Sequence, residues 1–423
     1  MHIFLSAAIL LEGLAVIASA SDAPPPMGFN TWNHFKCNIN EFLIKRSADK
    51  LISSGLARKG YLYVNLDDCW SLMNRDPVTK RIVADPQKFP SGMKALADYL
   101  HERGLKFGLY ADSGSKTCKG YPGSANHEEL DALTFAEWGV DYLKYDNCYT
   151  NPLRYARDRY ETMNKALKKT GRDIFYSLCS VFQYLIQWGQ ESAWTWGSIV
   201  GGNSWRISGD IGDLWKSNTY FQYFNCPCTG LYCPYFVPSG GHDCSIMNIL
   251  NKIALVTEYT GKGGLNDPDV LEVGNGGMST DEYKSHFSFW AALKAPLLIG
   301  TDLESMSNET LGILSNEEVI AINQDSLRSS IKRVKTENLY QIWAGKLQNS
   351  DIVILALNLD SKPQTIPIDV SSLFINTSSR TSANQSTYFV KDLWSKEETS
   401  SGEFLARTIQ PHAVWMARLT QLV

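Results

Sequence analysis

Residues 106–147 read KFGLYADSGSKTCKGYPGSANHEELDALTFAEWGVDYLKYDN. The stretch opens on an apolar run, Lys106–Asp112, and closes on a second, Asp141–Asn147. Between them His127–Trp138 carries an amphipathic helical pattern. Strand, helix, strand in this order predicts a β-α-β unit, whose two strands lie parallel. The same alternation extends in both directions. Further strands are predicted at Met27–Trp32, Tyr61–Asp68, Ile174–Cys179, Ser204–Ile211, Gly264–Asp269 and Ala295–Gly300. Helical patterns fall at Phe42–Ser54, Met93–Arg103 and Ala156–Thr170. Eight β-α repeats predict an α/β fold of the (β/α)8 TIM-barrel type over residues 21–325. A doubly wound sheet is the competing topology, but no Gly-rich phosphate loop follows the first strand.

After Asp325 the pattern changes. Leu339–Ala344, Asp351–Asn358, Gln364–Val370, Thr387–Leu393 and His412–Arg418 are short strand patterns separated by Ser/Thr/Asn-rich turns. They predict a C-terminal antiparallel β-sandwich over residues 326–423. The chain has 423 residues, with 44% hydrophobic and 20% charged side chains and a formal net charge of −4. That composition is globular and offers no basic surface for a nucleic acid. Beyond the N-terminus no 18-residue apolar stretch marks a membrane span.

At the N-terminus an apolar run, Ile3–Ile17, precedes Ala18-Ser19-Ala20. This resembles a secretory signal at 1–20 with cleavage after Ala20, although Glu12 interrupts the run and no Lys or Arg precedes it. A buried N-terminal helix is the alternative. Nine cysteines, at 37, 69, 118, 148, 179, 226, 228, 233 and 244, leave one over after pairing. Sequons stand at Asn308, Asn376 and Asn384. Together these features predict a secreted, extracellular protein.

Nearly every predicted strand ends in polar side chains: Trp32, Asp67-Asp68, Asp112, Lys144-Asp146, Cys179, Arg206-Asp210 and Asn266-Asp267. In a barrel those ends converge on the face where active sites are built. A lone Asp there is usually a turn or capping residue. Strand parity puts Tyr142, Lys144 and Asp146 on one face, and Arg206, Ser208 and Asp210 on one face. Lys144 is expected to keep Asp146 ionised, as a nucleophilic carboxylate requires. Two facing carboxylates are what glycoside cleavage uses. Structural Lys144–Asp146 and Arg206–Asp210 pairs are the bland readings of the same residues.

The chain resembles glycoside hydrolase family 27, the yeast- and fungal-type α-galactosidases and α-N-acetylgalactosaminidases. The resemblance is carried by Pro25-Pro26-Met27-Gly28-Phe29-Asn30-Thr31-Trp32-Asn33, Asn65-Leu66-Asp67-Asp68-Cys69-Trp70 and Tyr142-Leu143-Lys144-Tyr145-Asp146-Asn147-Cys148. It continues in Asn203-Ser204-Trp205-Arg206 through Gly209-Asp210, Asn266-Asp267-Pro268-Asp269, Leu271-Glu272-Val273-Gly274, Ala295-Pro296-Leu297-Leu298-Ile299-Gly300 and Ile322-Asn323-Gln324-Asp325. It implies a retaining hydrolase of terminal α-galactosides with no metal or cofactor. Asp146 would be the nucleophile and Asp210 the acid/base, protonated at the start. The galactose site would comprise Asp67 and Asp68 on the 4- and 6-hydroxyls, Lys144, Arg206, Trp32, Tyr110 and Cys179. The implied disulfides are Cys37–Cys69, Cys118–Cys148, Cys226–Cys244 and Cys228–Cys233, with Cys179 a free thiol. A zinc site in the 226–244 cluster is the competing reading.

Two departures from the family pattern stand out, the first beside the sugar's 2-position and the second a loss of packing volume. The stretch 180–187 between Cys179 and Trp188 is about seven residues longer than in the family, with Trp188 the residue expected to crowd that position and Phe182 and Tyr184 as substitutes. Leu265 stands where the family has an aromatic residue. The alternatives are therefore an α-N-acetylgalactosaminidase, a β-L-arabinopyranosidase, or a weakly active galactose-binding protein. The sequence leaves the natural galactoside and assembly into a homo-oligomer open.

Overall fold

Eight short strands form one parallel sheet: β1 (Met27–Asn30), β2 (Tyr63–Leu66), β3 (Lys106–Asp112), β4 (Tyr142–Asp146), β5 (Phe175–Leu178), β6 (Ser204–Arg206), β7 (Leu265–Asp267) and β8 (Leu297–Ile299). The computed structural model describes residues 24–151, 153–180, 192–216, 244–261, 263–373 and 386–422. The expected signal segment lies outside them. Strand order follows the chain from β1 to β7, with β8 beside β1. Closure comes just past β7, where Leu271 bridges Ile299 and the Leu271 amide donates to the Leu298 carbonyl at 2.7 Å. The result is the predicted (β/α)8 barrel.

The strands read as near-continuous apolar runs because helices cover their outer faces. Helix Glu41–Ser53 is typical. Asn40 caps it, its side chain accepting from the Leu43 amide at 2.9 Å. Ile44, Ala48 and Leu51 form one buried stripe, the i, i+4, i+7 spacing that an amphipathic helix turns to a core. Helices Gly92–His101, Glu128–Trp138, Ala156–Lys169, Ile246–Ile253 and Thr280–Ala292 continue the outer ring. Register is set partly by small residues. A Cβ on Gly108 of β3 would lie 2.0 Å from Asn65 Oδ1 of β2, so only glycine lets these strands approach. On the other side of β3, in its pairing with β4, Tyr110 stands opposite Lys144 and Asp112 opposite Asp146.

Several strands are shorter than their sequence patterns. The predicted Ser204–Ile211 is a strand only to Arg206, because the chain leaves the sheet while Ile207 and Ile211 stay buried. Parity therefore does not place Asp210.

The C-terminal unit is the predicted antiparallel sandwich. One sheet has the order β14-β13-β16-β11-β10-β9, and a second pairs β12 with β15. The strands are β9 (Lys332–Thr336), β10 (Tyr340–Lys346), β11 (Ile352–Asn358), β12 (Gln364–Asp369), β13 (Thr387–Asp392), β14 (Glu398–Ser401), β15 (Phe404–Ile409) and β16 (Val414–Leu422). Ile342, Ile354, Ile366, Ile368, Val390 and Leu405 fill the space between the sheets. Among the described residues no helix is long and apolar enough to cross a membrane.

Candidate active site

Asp67 and Asp68 follow β2 directly. Two successive strand residues would point to opposite faces, so the backbone must turn to use both. The chain turns directly after the pair, at Cys69, whose φ of +75° is left-handed and rare for a residue with a Cβ. Cys69 is tied by a disulfide to Cys37. The Asp67 carboxylate accepts from Lys144 Nζ at 2.8 Å and Asn30 Nδ2 at 3.0 Å. Asp68 accepts from the Cys69 amide at 2.7 Å and the Lys119 amide at 3.0 Å. Burial still outweighs these bonds and pushes Asp68 up to about 6.

Asp146 ends β4. Tyr110 Oη donates to its Oδ2 at 2.9 Å and the Asn147 amide to its Oδ1 at 2.8 Å. Lys144 is two residues away on the same strand, but its ammonium pairs with Asp67, not with Asp146. Burial, aided by the charge of Asp210, holds Asp146 above the usual carboxylate range, against the opposing pull of Lys144. The expectation that Lys144 would set Asp146 low is thus corrected. In the closed barrel interior, removing water costs the carboxylate more than one cation returns.

Beside Asp146 stands Asp112, its register partner on β3 and fully buried. Asp112 accepts from the Gly114 and Cys148 amides at 2.7 and 3.0 Å. Burial and the neighbouring Asp146 charge raise its pKa far above the usual range. Cys148 is bonded to Cys118, whose Sγ lies 3.5 Å from Asp146 Oδ2. Asp112, Cys118, Asp146 and Cys148 cluster as metal ligands would. The disulfide takes both sulfurs out of that role, because a metal needs the thiolate.

Arg206 ends β6 and is buried. Its guanidinium pairs with Asp269 at 2.8 Å and Asp210 at 3.1 Å. The pair that the bland reading foresaw is present, and it leaves Asp210 about one-third exposed. Asp269 also accepts the Ile211 amide at 2.9 Å and holds φ at +83°. Burial pushes the neighbouring Asp267 up to about 6. Cys179 is a buried free thiol with Arg206 Nη1 at 3.8 Å, and burial raises its pKa well above the ordinary value. Trp32 follows β1, half-buried, with Lys119 Nζ 5.3 Å from its ring.

The strand ends thus gather Asp67, Asp68, Tyr110, Lys144, Asp146, Cys179 and Arg206 at one mouth of the barrel, and Arg206 holds Asp210 of the following loop beside them. Sequence reading gave no role to Asp269, Asp112 or Asn30. The strand-end position of Asp112 was the available signal. Asp269 closes the motif Asn266-Asp267-Pro268-Asp269, but nothing in its residue type announces a left-handed backbone.

Residues 24–229 and 241–325 match the family model described as Alpha galactosidase A, and residues 337–419 match its C-terminal beta sandwich domain. The α-galactosidase 2 of Arabidopsis thaliana is 44% identical over 420 residues, which is 99% of this chain and 93% of that one. The crystal structure of α-galactosidase I from Mortierella vinacea superimposes with a TM-score of 0.86 at 39% identity, covering 94% of this chain and 97% of that one. A Saccharomyces cerevisiae α-galactosidase solved with raffinose gives 0.85 at 35% identity, covering 96% and 100%.

The chain belongs to the α-galactosidase family.

It is accordingly a glycoside hydrolase. The family's expected Cys37–Cys69 and Cys118–Cys148 bridges are both present. Cys244 is also disulfide-bonded, which removes its sulfur from any zinc site. The positions of Cys226, Cys228 and Cys233 lie outside the described residues, as do the 181–187 part of the insertion, Trp188, Asn376 and Asn384. Asn308 is exposed. Leu265 is buried at the start of β7.

Proposed function

We propose that this α-galactosidase releases terminal α-D-galactosyl residues by double displacement, with Asp146 as nucleophile and Asp210 as acid/base. Asp146 attacks the anomeric carbon while the proton of Asp210 passes to the departing glycosidic oxygen. Asp210 then takes a proton from water, and that water displaces Asp146 from the covalent galactosyl-enzyme. Configuration is retained because the anomeric carbon inverts twice. The observation that carries the reading is the placement of Asp146. It lies at the barrel mouth beside the Asp67–Lys144 pair, holds a donor on each oxygen, and feels the charge of Asp210.

Asp67 and Asp68 supply acceptors for sugar hydroxyls and Lys144 a donor. Ionised groups bind hydroxyls more strongly than neutral ones do, and an axial 4-hydroxyl aimed at the carboxylates favours galactose over glucose. The intact aspartate pair also favours galactose over a pentopyranose, which lacks the 6-carbon. The two internal disulfides and the bonded Cys244 support an exported protein.

The test is hydrolysis of an aryl α-galactoside, followed by NMR to read the anomer released first. Wild type is expected to give the α-anomer, and Asp146→Asn to lose activity by several orders of magnitude. Undiminished turnover in that variant, or a β-anomer as first product, sinks the assignment. Aryl α-N-acetylgalactosaminide and β-L-arabinopyranoside, run beside it, are expected to be poorer substrates.

A further inference from the structure

The motif Leu271-Glu272-Val273-Gly274 has no part in the chemistry above, yet it holds a buried carboxylate near Asp210. Glu272 is 3% exposed and sits one residue past the bridge that closes the barrel. Its Oε1 accepts from Asn33 Nδ2 and its Oε2 from Asn275 Nδ2. Its own amide donates to His286 Nε2 at 3.0 Å. Burial pushes Glu272 up to about 7.

Asn33 has a second bond. The same Nδ2 donates to the Ile211 carbonyl at 3.1 Å. The Ile211 amide is held by Asp269 Oδ2 at 2.9 Å, so that residue is gripped at both of its backbone polar groups. The preceding carbonyl, of Asp210, accepts from the Cys244 amide at 2.8 Å. Two residues on, the Asp213 carboxylate accepts from Tyr283 Oη at 2.9 Å and the Gly277 amide at 2.5 Å. This segment has left the sheet, so no ladder fixes it. An isolated parallel bridge between Ile211 and Cys244, in which the Gly212 amide also donates to the Cys244 carbonyl at 3.1 Å, holds it together with the side chains of Asn33, Asp269 and Tyr283.

We infer that Glu272 is a positioning residue for Asp210, acting through Asn33 on the Ile211 carbonyl. Asn33 has two amide hydrogens, and Glu272 and Ile211 take one each. The carboxylate fixes which face of the Asn33 amide meets the loop. Without it the amide rotates, the Ile211 carbonyl loses its donor, and the backbone of Asp210 moves relative to the leaving oxygen. Proton transfer is sensitive to such displacement, because the acid must stay within hydrogen-bond reach of that oxygen.

The inference rests on Asp210 being the acid/base, and the experiment separates the two. kcat/KM is measured for α-galactosides with leaving groups from dinitrophenol, which departs without protonation, to simple alcohols, which need it. The proteins are wild type, Asp210→Ala, Glu272→Gln and Asn33→Ala. Glu272→Gln is expected to lose roughly 10- to 100-fold on the poor leaving groups and little on dinitrophenyl, with an unchanged KM for the poor ones. Asn33→Ala is expected to follow the same slope. It is partly exposed, so water can replace its amide, and it carries the test if Glu272→Gln does not fold. Thr301→Val removes a 2.7 Å bond to Asn275 on the far side of the cluster. It is expected to lower the melting temperature without steepening the slope. Equal losses on every leaving group, or no loss on any, overturn the positioning role. A flat dependence in Asp210→Ala itself removes the acid/base assignment instead.

Discussion

Tyr110 is the side chain through which Asp146, the proposed nucleophile, is most directly adjustable. Its hydroxyl donates to Asp146 Oδ2 and favours the ionised form, against burial and the charge of Asp210. Tyr110→Phe removes that donor. The pKa of Asp146 then rises further, and the acid limb of the kcat/KM profile moves to higher pH. A hydrogen bond to a charged group contributes about 1.5–3 kcal/mol, so the loss at the optimum is expected to be about 10- to 100-fold. A pH–rate profile measures both effects, and an acid limb moving downward contradicts the arrangement. Asp267 offers the opposite exchange. Burial raises it from 3.8 to about 6, so between those values the folded state binds more protons than the unfolded chain. Its charge therefore costs stability increasingly as pH rises through that window, and fully above it. Asp267→Asn keeps the acceptor for the Asp269 amide, which lies 2.8 Å from Oδ1. It is expected to stabilise by about 1–3 kcal/mol at pH 7.5, with the gain vanishing near pH 4. Thermal melts at the two pH values check this, and a larger gain at the acid end rules it out.

The β-α alternation was readable because barrel strands, buried on both faces, leave apolar runs that the polar faces of the intervening helices interrupt. β3 occupies the whole of its predicted span, Lys106–Asp112, and helix Glu128–Trp138 starts one residue late. Overshoot occurred where loops are as buried as strands. Ile207 and Ile211 look like strand residues and are buried, but Ile207 lies past the end of β6 and Ile211 makes only an isolated bridge to Cys244. β9 went unread for the opposite reason. Lys332, Val334, Lys335 and Thr336 are exposed on an edge strand, where lysine discourages further pairing and no apolar face marks the pattern. At the site, parity identified which residues share a face within one strand. It could not say that Lys144 would reach across to Asp67, 77 positions away, because barrel curvature decides that. Helix termini carry local information of this kind too. Ser279 caps Thr280–Ala292 and exchanges bonds with Glu282 in a complete capping box. Ser279→Ala is expected to cost about 1 kcal/mol without altering kcat. A melt paired with a rate assay reads both, and a fall in kcat at unchanged stability contradicts a purely structural cap.

At the scale of the molecule, the barrel and the sandwich share a core. Trp343, Val353, Leu355, Leu357 and Met416 of the sandwich belong to the same buried cluster as the barrel helices, while the space between the sandwich sheets forms its own. Phe289 and Trp343 meet edge to face at 5.4 Å. Ser285 Oγ donates to the His412 carbonyl at 2.8 Å, and Trp394 Nε1 to Ser288 Oγ at 2.9 Å. Helix Thr280–Ala292 is thus a barrel element on one side and a sandwich support on the other. His412 also stacks on Trp215, at the far end of the segment that carries Asp210. Contacts of this size and apolarity couple two units, because opening either exposes the other's core. The whole chain is therefore expected to unfold in one calorimetric transition. Trp343→Ala, at a fully buried position, is expected to cost about 3–5 kcal/mol and to shift that transition rather than split it. Galactose at roughly 100 times its Kd adds about 2.7 kcal/mol to whatever unit contains the barrel mouth. If the coupling holds, the sugar raises the melting of the sandwich as well, read as the temperature at which the paired amides of β13 and β16 lose protection from hydrogen exchange. A sandwich signal that melts at the same temperature with and without galactose rules out the shared unit.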